Sequence, residues 1–296
     1  MTLLALEIGS QGFAACQLSE DSGEDDIRRS PIPDRGVWDS CRDLLVEVAG
    51  TGEVTAVGIA CRGPIDMGAG VVAPPEIAEW RTGFGIVEAV RKLFPAAAVR
   101  LALDGVCSAM GERYFGRTRE VLDALTMTVS DRIGGGVMVG GLVVVGRTGN
   151  AGQLGHVLVP GFDDACECGG RGCLEAVAGG LSALNWARVQ GWSGKTVDDL
   201  FETAQAGDEI ALAALGRAGT ALGRAIASVA AVLDLDLVVV AGTMARPGTV
   251  LWKSLGAAVA THARLSFLTG LRVVPSEIGE AGVLAGAGVL AAMSPG

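Results

Sequence analysis

Residues 152–179 read GQLGHVLVPGFDDACECGGRGCLEAVAG. His156, Cys166, Cys168 and Cys173 place one imidazole and three thiols in this short run, at successive offsets of ten, two and five. That is a complete tetrahedral donor set of the Cys₃His type used by structural Zn²⁺ sites. Gly169, Gly170 and Gly172 let the backbone close tightly around an ion. Free cysteines are common core residues. A CxCGxxGC pattern behind one of only two histidines in the chain has instead the spacing of a metal loop.

Composition sets the frame around this loop. The chain has 296 residues, half of them apolar and 4% aromatic, with 45 glycines. That is enough chain for a large core in one or two domains. Abundant glycine suits an α/β protein with many tight strand–helix turns. Acidic residues outnumber basic ones by 33 to 23, a net charge of −10, which argues against a nucleic-acid surface. No apolar stretch is expected to span a bilayer. The N-terminal MTLLALEIGS has no basic n-region and runs directly into strand-like sequence, so the expected location is cytoplasmic. Cys16, Cys41, Cys61 and Cys107 are scattered and fit reduced core thiols.

Leu3 to Ile8 and Phe13 to Leu18 predict a hairpin around a glycine-containing turn. Residues 19–36 are polar and suggest a surface loop. Helices are expected at about 38–50, 84–94 and 106–115, and strands at Val54–Ala60 and Val99–Leu103. This alternation argues for a twisted α/β sheet. A second set follows: a strand from Leu125 to Ser130, the glycine-punctuated hairpin IGGGVMVGGLVVVG, a long helix over 208–233 with apolar residues at helical spacing, and a strand over Leu237–Ala241.

The zinc segment, GH followed by CxCGxxGCLE, resembles the motif of the ROK family, which contains bacterial sugar kinases and sugar-responsive repressors. The resemblance extends over nearly the whole chain. It implies an actin-like ATPase (ribonuclease H-like) fold, with two α/β domains flanking a cleft that holds the active site. Residues 1–117, completed by a C-terminal helix over 281–296, would form the first domain, and 118–280 the second, zinc-bearing one. The implied activity is ATP-dependent phosphorylation of a primary (6-) hydroxyl on a hexose, amino sugar or related modified sugar. A catalytically silent sugar-binding or regulatory protein is the alternative. A repressor would need a helix-turn-helix ahead of the first strand, and the sequence opens on that strand. The family also implies a homodimer.

Actin-like folds hold a triphosphate on glycine-rich hairpin turns through backbone N–H groups. The first such segment here is Glu7-Ile8-Gly9-Ser10-Gln11-Gly12, similar to the family's DxGGTK, with Glu7 and Gln11 in place of Asp and Thr. Glu7 would hold Mg²⁺ or its water. The second is Ser130-Asp131-Arg132-Ile133-Gly134-Gly135-Gly136, similar to GTGIGGG, with Asp131 and Arg132 standing where Thr and Gly are usual. The third, Gly242-Thr243, resembles the turn that contacts adenosine. Asp104, in LALDGVCSAMGERYFG, falls on the family's catalytic base, and an Asp there also suits a helix start. Leu103 replaces a sugar-binding Asn and Gln153 a sugar-binding Glu. His156 would bind metal through one nitrogen and face the sugar with the other. Glu175 matches a further sugar-binding carboxylate, and Gly63-Pro64 a pocket loop. Arg62 replaces a family Pro and suits a solvated loop equally well. Buried polar changes at such positions shift substrate choice strongly.

Overall fold

Thr2–Ile8 (β1) buries Leu4, Leu6 and Ile8 on one face and Ala5 on the other, as a strand between two layers must, and carries Glu7 near its carboxyl end. The structure is a computed structural model and describes residues 2–9, 12–18, 26–279 and 281–293. The chain divides into two compact units. The first comprises residues 1–119, 143–152 and 280–296, and the second residues 120–142 and 153–279. The short stretch 143–152 falls within the second domain that the resemblance implies, residues 118–280, and clusters with the first unit.

In the first unit β1 pairs antiparallel with β2 (Gly12–Leu18), which pairs with β3 (Arg28–Pro31). Helix α1 (Val37–Ala49) leads to β4 (Val54–Cys61). The short pair β5 (Ile65–Asp66) and β6 (Val71–Val72) precedes α2 (Ile86–Leu93), β7 (Ala98–Leu103) and α3 (Asp104–Phe115). The sheet order is β3-β2-β1-β4-β7, with β1, β4 and β7 parallel. β3 lies inside the segment expected to be a loop. Its RRSP sequence is polar, partly exposed and ends in Pro, which suits an edge strand and gives no apolar alternation to read. α3 begins at Asp104 itself, two residues earlier than the apolar pattern suggested.

The second unit repeats the plan. β8 (Ala124–Val129) and β9 (Ile133–Val139) form an antiparallel hairpin, and β10 (Leu142–Val143) lies beyond β9. Helices α4 (Leu174–Ala178), α5 (Gly180–Val189), α6 (Val197–Gln205) and α7 (Glu209–Leu233) follow, then β11 (Leu237–Ala241), α8 (Val250–His262) and β12 (Arg272–Pro275). The order is β10-β9-β8-β11-β12, with β8, β11 and β12 parallel. Among the described residues, α7 alone is long and apolar enough to cross a bilayer, contrary to the expectation that no stretch could. Most of its apolar face is buried in the core of this unit against α4, α5, α6 and α8, which accounts for the composition.

The last helix, α9 (Ala281–Ala292), packs in the first unit against α3, β1 and β4. Its small residues permit the approach: a Cβ on Gly286 would collide with the Cys107 carbonyl, and one on Gly58 with the Ala287 carbonyl. Gly286→Ala is therefore expected to cost about 2–3 kcal/mol. In thermal unfolding it should lower the midpoint by roughly 4–10 °C. Gly256→Ala, on the exposed side of α8 where a Cβ meets open space, should leave the midpoint unchanged or raise it.

Candidate functional site

Parallel pairing sets Ile8, Cys61 and Leu103 in one row, so β1, β4 and β7 end together. Ligands of open α/β sheets gather at such carboxyl ends. From the ends issue Gly9, the loop Arg62-Gly63-Pro64, and Asp104 at the first position of α3. Gly9 N–H donates to the Gly12 carbonyl at 2.9 Å, closing the first turn; Ser10 and Gln11 lie outside the described residues. The Gly63–Pro64 peptide is cis. The Pro64 carbonyl accepts from Ala73 N–H at 2.9 Å. Asn150, which carried no sequence signal, brackets the next residue: Ile65 N–H donates to its Oδ1 at 2.9 Å, and its Nδ2 donates to the Ile65 carbonyl at 2.7 Å.

Asp104 is half-buried, and its Oδ1 accepts Gly105 N–H at 2.6 Å. It stands in the first turn of α3, at the positive end of the helix dipole. Burial, then the Asp104 carboxylate, then that of Glu7, push the Cys107 thiol far up. Burial, then Asp104 and Glu76, do the same to Cys61. Strand register sets Glu7 and Asp104 at these strand ends, and Glu76 acts on the same Cys61 thiol although nothing in PPEIAEW marks it. Leu103 is only 2% exposed, and its side chain belongs to the core.

The second unit has its own convergence at the carboxyl ends of β8 and β11. The β8–β9 pairing closes at Val129 and Ile133, so the turn is Ser130–Arg132. Gly134, Gly135 and Gly136 were expected within the turn and are instead residues of β9, paired with Thr128, Met127 and Thr126. Gly135 has a packing reason, since a Cβ there would stand 2.7 Å from the Thr126 carbonyl and against Leu154. Ser130 and Asp131 carbonyls accept N–H groups of Gly180 and Leu181 at 2.7 and 3.3 Å, fastening the turn to the start of α5. Gly242 has φ +100°, a conformation open to glycine. It brings exposed Thr243 over the turn, where Thr243 N–H donates to Ser130 Oγ at 3.2 Å. Arg246 holds the Thr243 carbonyl at 2.9 Å while paired with Asp198 and stacked over Phe201.

Glu175 lies in the first turn of α4. Its Oε2 accepts Ile133 N–H at 3.0 Å, and its Oε1 faces Arg132 Nη1 at 3.1 Å. The turn carrying Gln153 and His156 runs alongside: a Cβ on Gly155 would lie 3.2 Å from Glu175 Oε2. Gln153 and His156 are both exposed.

The four metal-type donors are together. Their ligand atoms lie within 4.8 Å of one another, with Cys168 Sγ 3.8 Å from Cys173 Sγ and Cys166 Sγ 3.8 Å from His156 Nδ1. A tetrahedron with Zn–S near 2.3 Å has sulfur–sulfur edges of about 3.8 Å, so the donor set fits Zn²⁺. His156 would bind through Nδ1, leaving Nε2 for another partner. Gly170 N–H donates to Cys168 Sγ at 3.4 Å and holds that thiol below its usual range. Burial pushes Cys173 up to about 12. The loop is strapped to α7 by side chains that the motif does not announce. Arg217 pairs with Asp164 at 2.5 Å and lies 5.0 Å over the Phe162 ring, and Arg224 donates to the Pro160 carbonyl at 2.6 Å.

Two α/β units, each with a hairpin followed by parallel strands and glycine turns at the strand ends, plus a Cys₃His loop, define the class. The ROK family model matches residues 3–294, and the chain belongs to that family. It is 29% identical to a glucokinase of Thermotoga maritima, over 98% of this chain and 97% of that one. It is 31% identical to an N-acetylmannosamine kinase of Escherichia coli, covering 82% and 84% of the two chains. Among solved structures, a ROK hexokinase from Thermus thermophilus superposes with TM-score 0.81 at 28% identity over 98% of both chains. The fold is that of the actin-like ATPases.

Proposed function

We propose that the protein is an ATP-dependent carbohydrate kinase acting on the 6-hydroxyl of a hexose, amino sugar or related modified sugar. The observation that carries the reading is Asp104, a half-buried carboxylate at the end of β7 and the start of α3, in a family whose matched relatives are named as sugar kinases. Asp104 takes the proton of the attacking hydroxyl as its oxygen bonds to the γ-phosphorus; the bond to the β-phosphate bridge breaks and ADP leaves. Gly9, the Ile133–Gly136 strand that follows the Ser130–Arg132 turn, and Gly242-Thr243 would bind the nucleotide, and Glu7 would hold Mg²⁺. Mg²⁺ would supply charge neutralisation at the phosphates. Gly63, Pro64, Gln153, His156 and Glu175 would bind the sugar. The zinc would be structural, and the enzyme a cytoplasmic homodimer.

Leu103 offers no polar group and Gln153 no charge, so a modified sugar is favoured over glucose. A coupled ADP-release assay across hexoses, amino sugars, N-acetylated amino sugars and cyclitols tests this. Turnover on a modified sugar should exceed that on glucose; equal or better turnover on glucose sinks the refinement. The silent alternative draws on Asp131 and Arg132 in the phosphate turn. It would be established by no turnover across the panel together with no heat of ATP binding in calorimetry.

A further inference from the structure

Arg132 reaches over 43 residues of chain to Glu175. It also meets Glu167, Nη2 to Oε2 at 2.6 Å, between two of the metal-type cysteines. The two contacts differ in surroundings. Glu175 is 13% exposed and the arginine 20%, whereas Glu167 is 77% exposed. A solvent-screened pair contributes little, while a largely buried one that loses a partner leaves an uncompensated charge. The consequential contact is therefore with Glu175.

Two fixed donors grip that carboxylate, Arg132 at Oε1 and Ile133 N–H at Oε2, while the backbone at Gly155 closes over Oε2. Each carboxylate oxygen retains a second lone pair, so Glu175 can still accept a hydroxyl, in an orientation set by its two donors. We infer that Arg132, though it stands in the phosphate turn, is a positioning residue for the sugar: by holding Glu175 it sets sugar affinity more than nucleotide affinity. This deepens the kinase reading and rests on it.

The test is steady-state kinetics with the wild type's best sugar, on the zinc-loaded full chain, for Arg132→Met, Arg132→Lys and Glu167→Gln. Zinc content and thermal unfolding establish that each variant is folded. Arg132→Met should raise the sugar KM roughly tenfold or more. Its kcat should stay within about threefold and its ATP KM within about twofold. Arg132→Lys keeps the charge without the planar fork and should fall between Arg132→Met and wild type. Glu167→Gln should stay within about twofold of wild type throughout. A sugar KM unmoved in Arg132→Met, a parallel rise in the ATP KM, or a Glu167→Gln defect as large as that of Arg132→Met overturns the inference. If Arg132→Met does not fold, Arg132→Lys carries the same test, and an unmoved sugar KM there overturns it. A wild type that neither turns over nor binds any sugar of the panel in calorimetry sinks the kinase reading, and the inference with it. An active wild type with an indifferent Arg132→Met sinks the inference alone.

Discussion

Replacing Asp104 with Asn is expected to lower kcat for sugar phosphorylation by about 10²–10⁴-fold, the range over which a positioned general base acts. The sugar KM should stay within about threefold, because Asn keeps the size and much of the hydrogen-bonding capacity of Asp. The same variant separates the two uses of this residue. Asp104 begins α3, and its Oδ1 accepts the Gly105 N–H at 2.6 Å. Asn can still accept the Gly105 N–H and loses only the charge at the helix's positive end, worth about 0.3–1 kcal/mol, so if Asp104 only stabilised the helix, the Asp104→Asn protein would remain active. Thermal unfolding should be close to wild type, with the loss confined to turnover. Retention of more than about a tenth of wild-type kcat would remove Asp104 from the chemistry.

The second large effect concerns the Cys₃His loop. Cys173 is 3% exposed, and its sulfur is 3.8 Å from that of Cys168. Cys173→Ser should weaken zinc binding by more than the roughly 10–100-fold typical of losing an outer hydrogen-bond partner. Protein purified without added metal should then hold well below one zinc per chain. Because Glu175 follows Cys173 by two residues and His156 is one of the four donors, the sugar KM should rise as the metal is lost. The core around α7 is built from apolar packing and stays folded, so far-ultraviolet circular dichroism should change little. A Cys173→Ser protein with a full zinc complement and wild-type sugar KM would show that the four side chains do not form the site.

Much of this was legible from residue order, for a local reason. The four donors fall in one short run, and β1, β4 and β8 announce themselves as apolar runs bounded by turns. α7 is long enough for its periodicity to emerge despite its small residues. β3 escaped because an edge strand need not bury a face. Glycines at 134–136 suggest a turn in the sequence, because glycine signals close approach without saying to what. Gly135 answers to the Thr126 carbonyl and the Leu154 side chain, contacts set by strand register.

The metal donor set, the α/β plan and the family follow from residue order alone, since each rests on residue types at short separations. Folding had to settle the rest: that Ile8, Cys61 and Leu103 end in one row, that Asn150 brackets Ile65, and that Arg132 holds Glu175. Those relations join residues tens of positions apart. They depend on strand register and on the reach of single side chains, which packing fixes and no local pattern encodes.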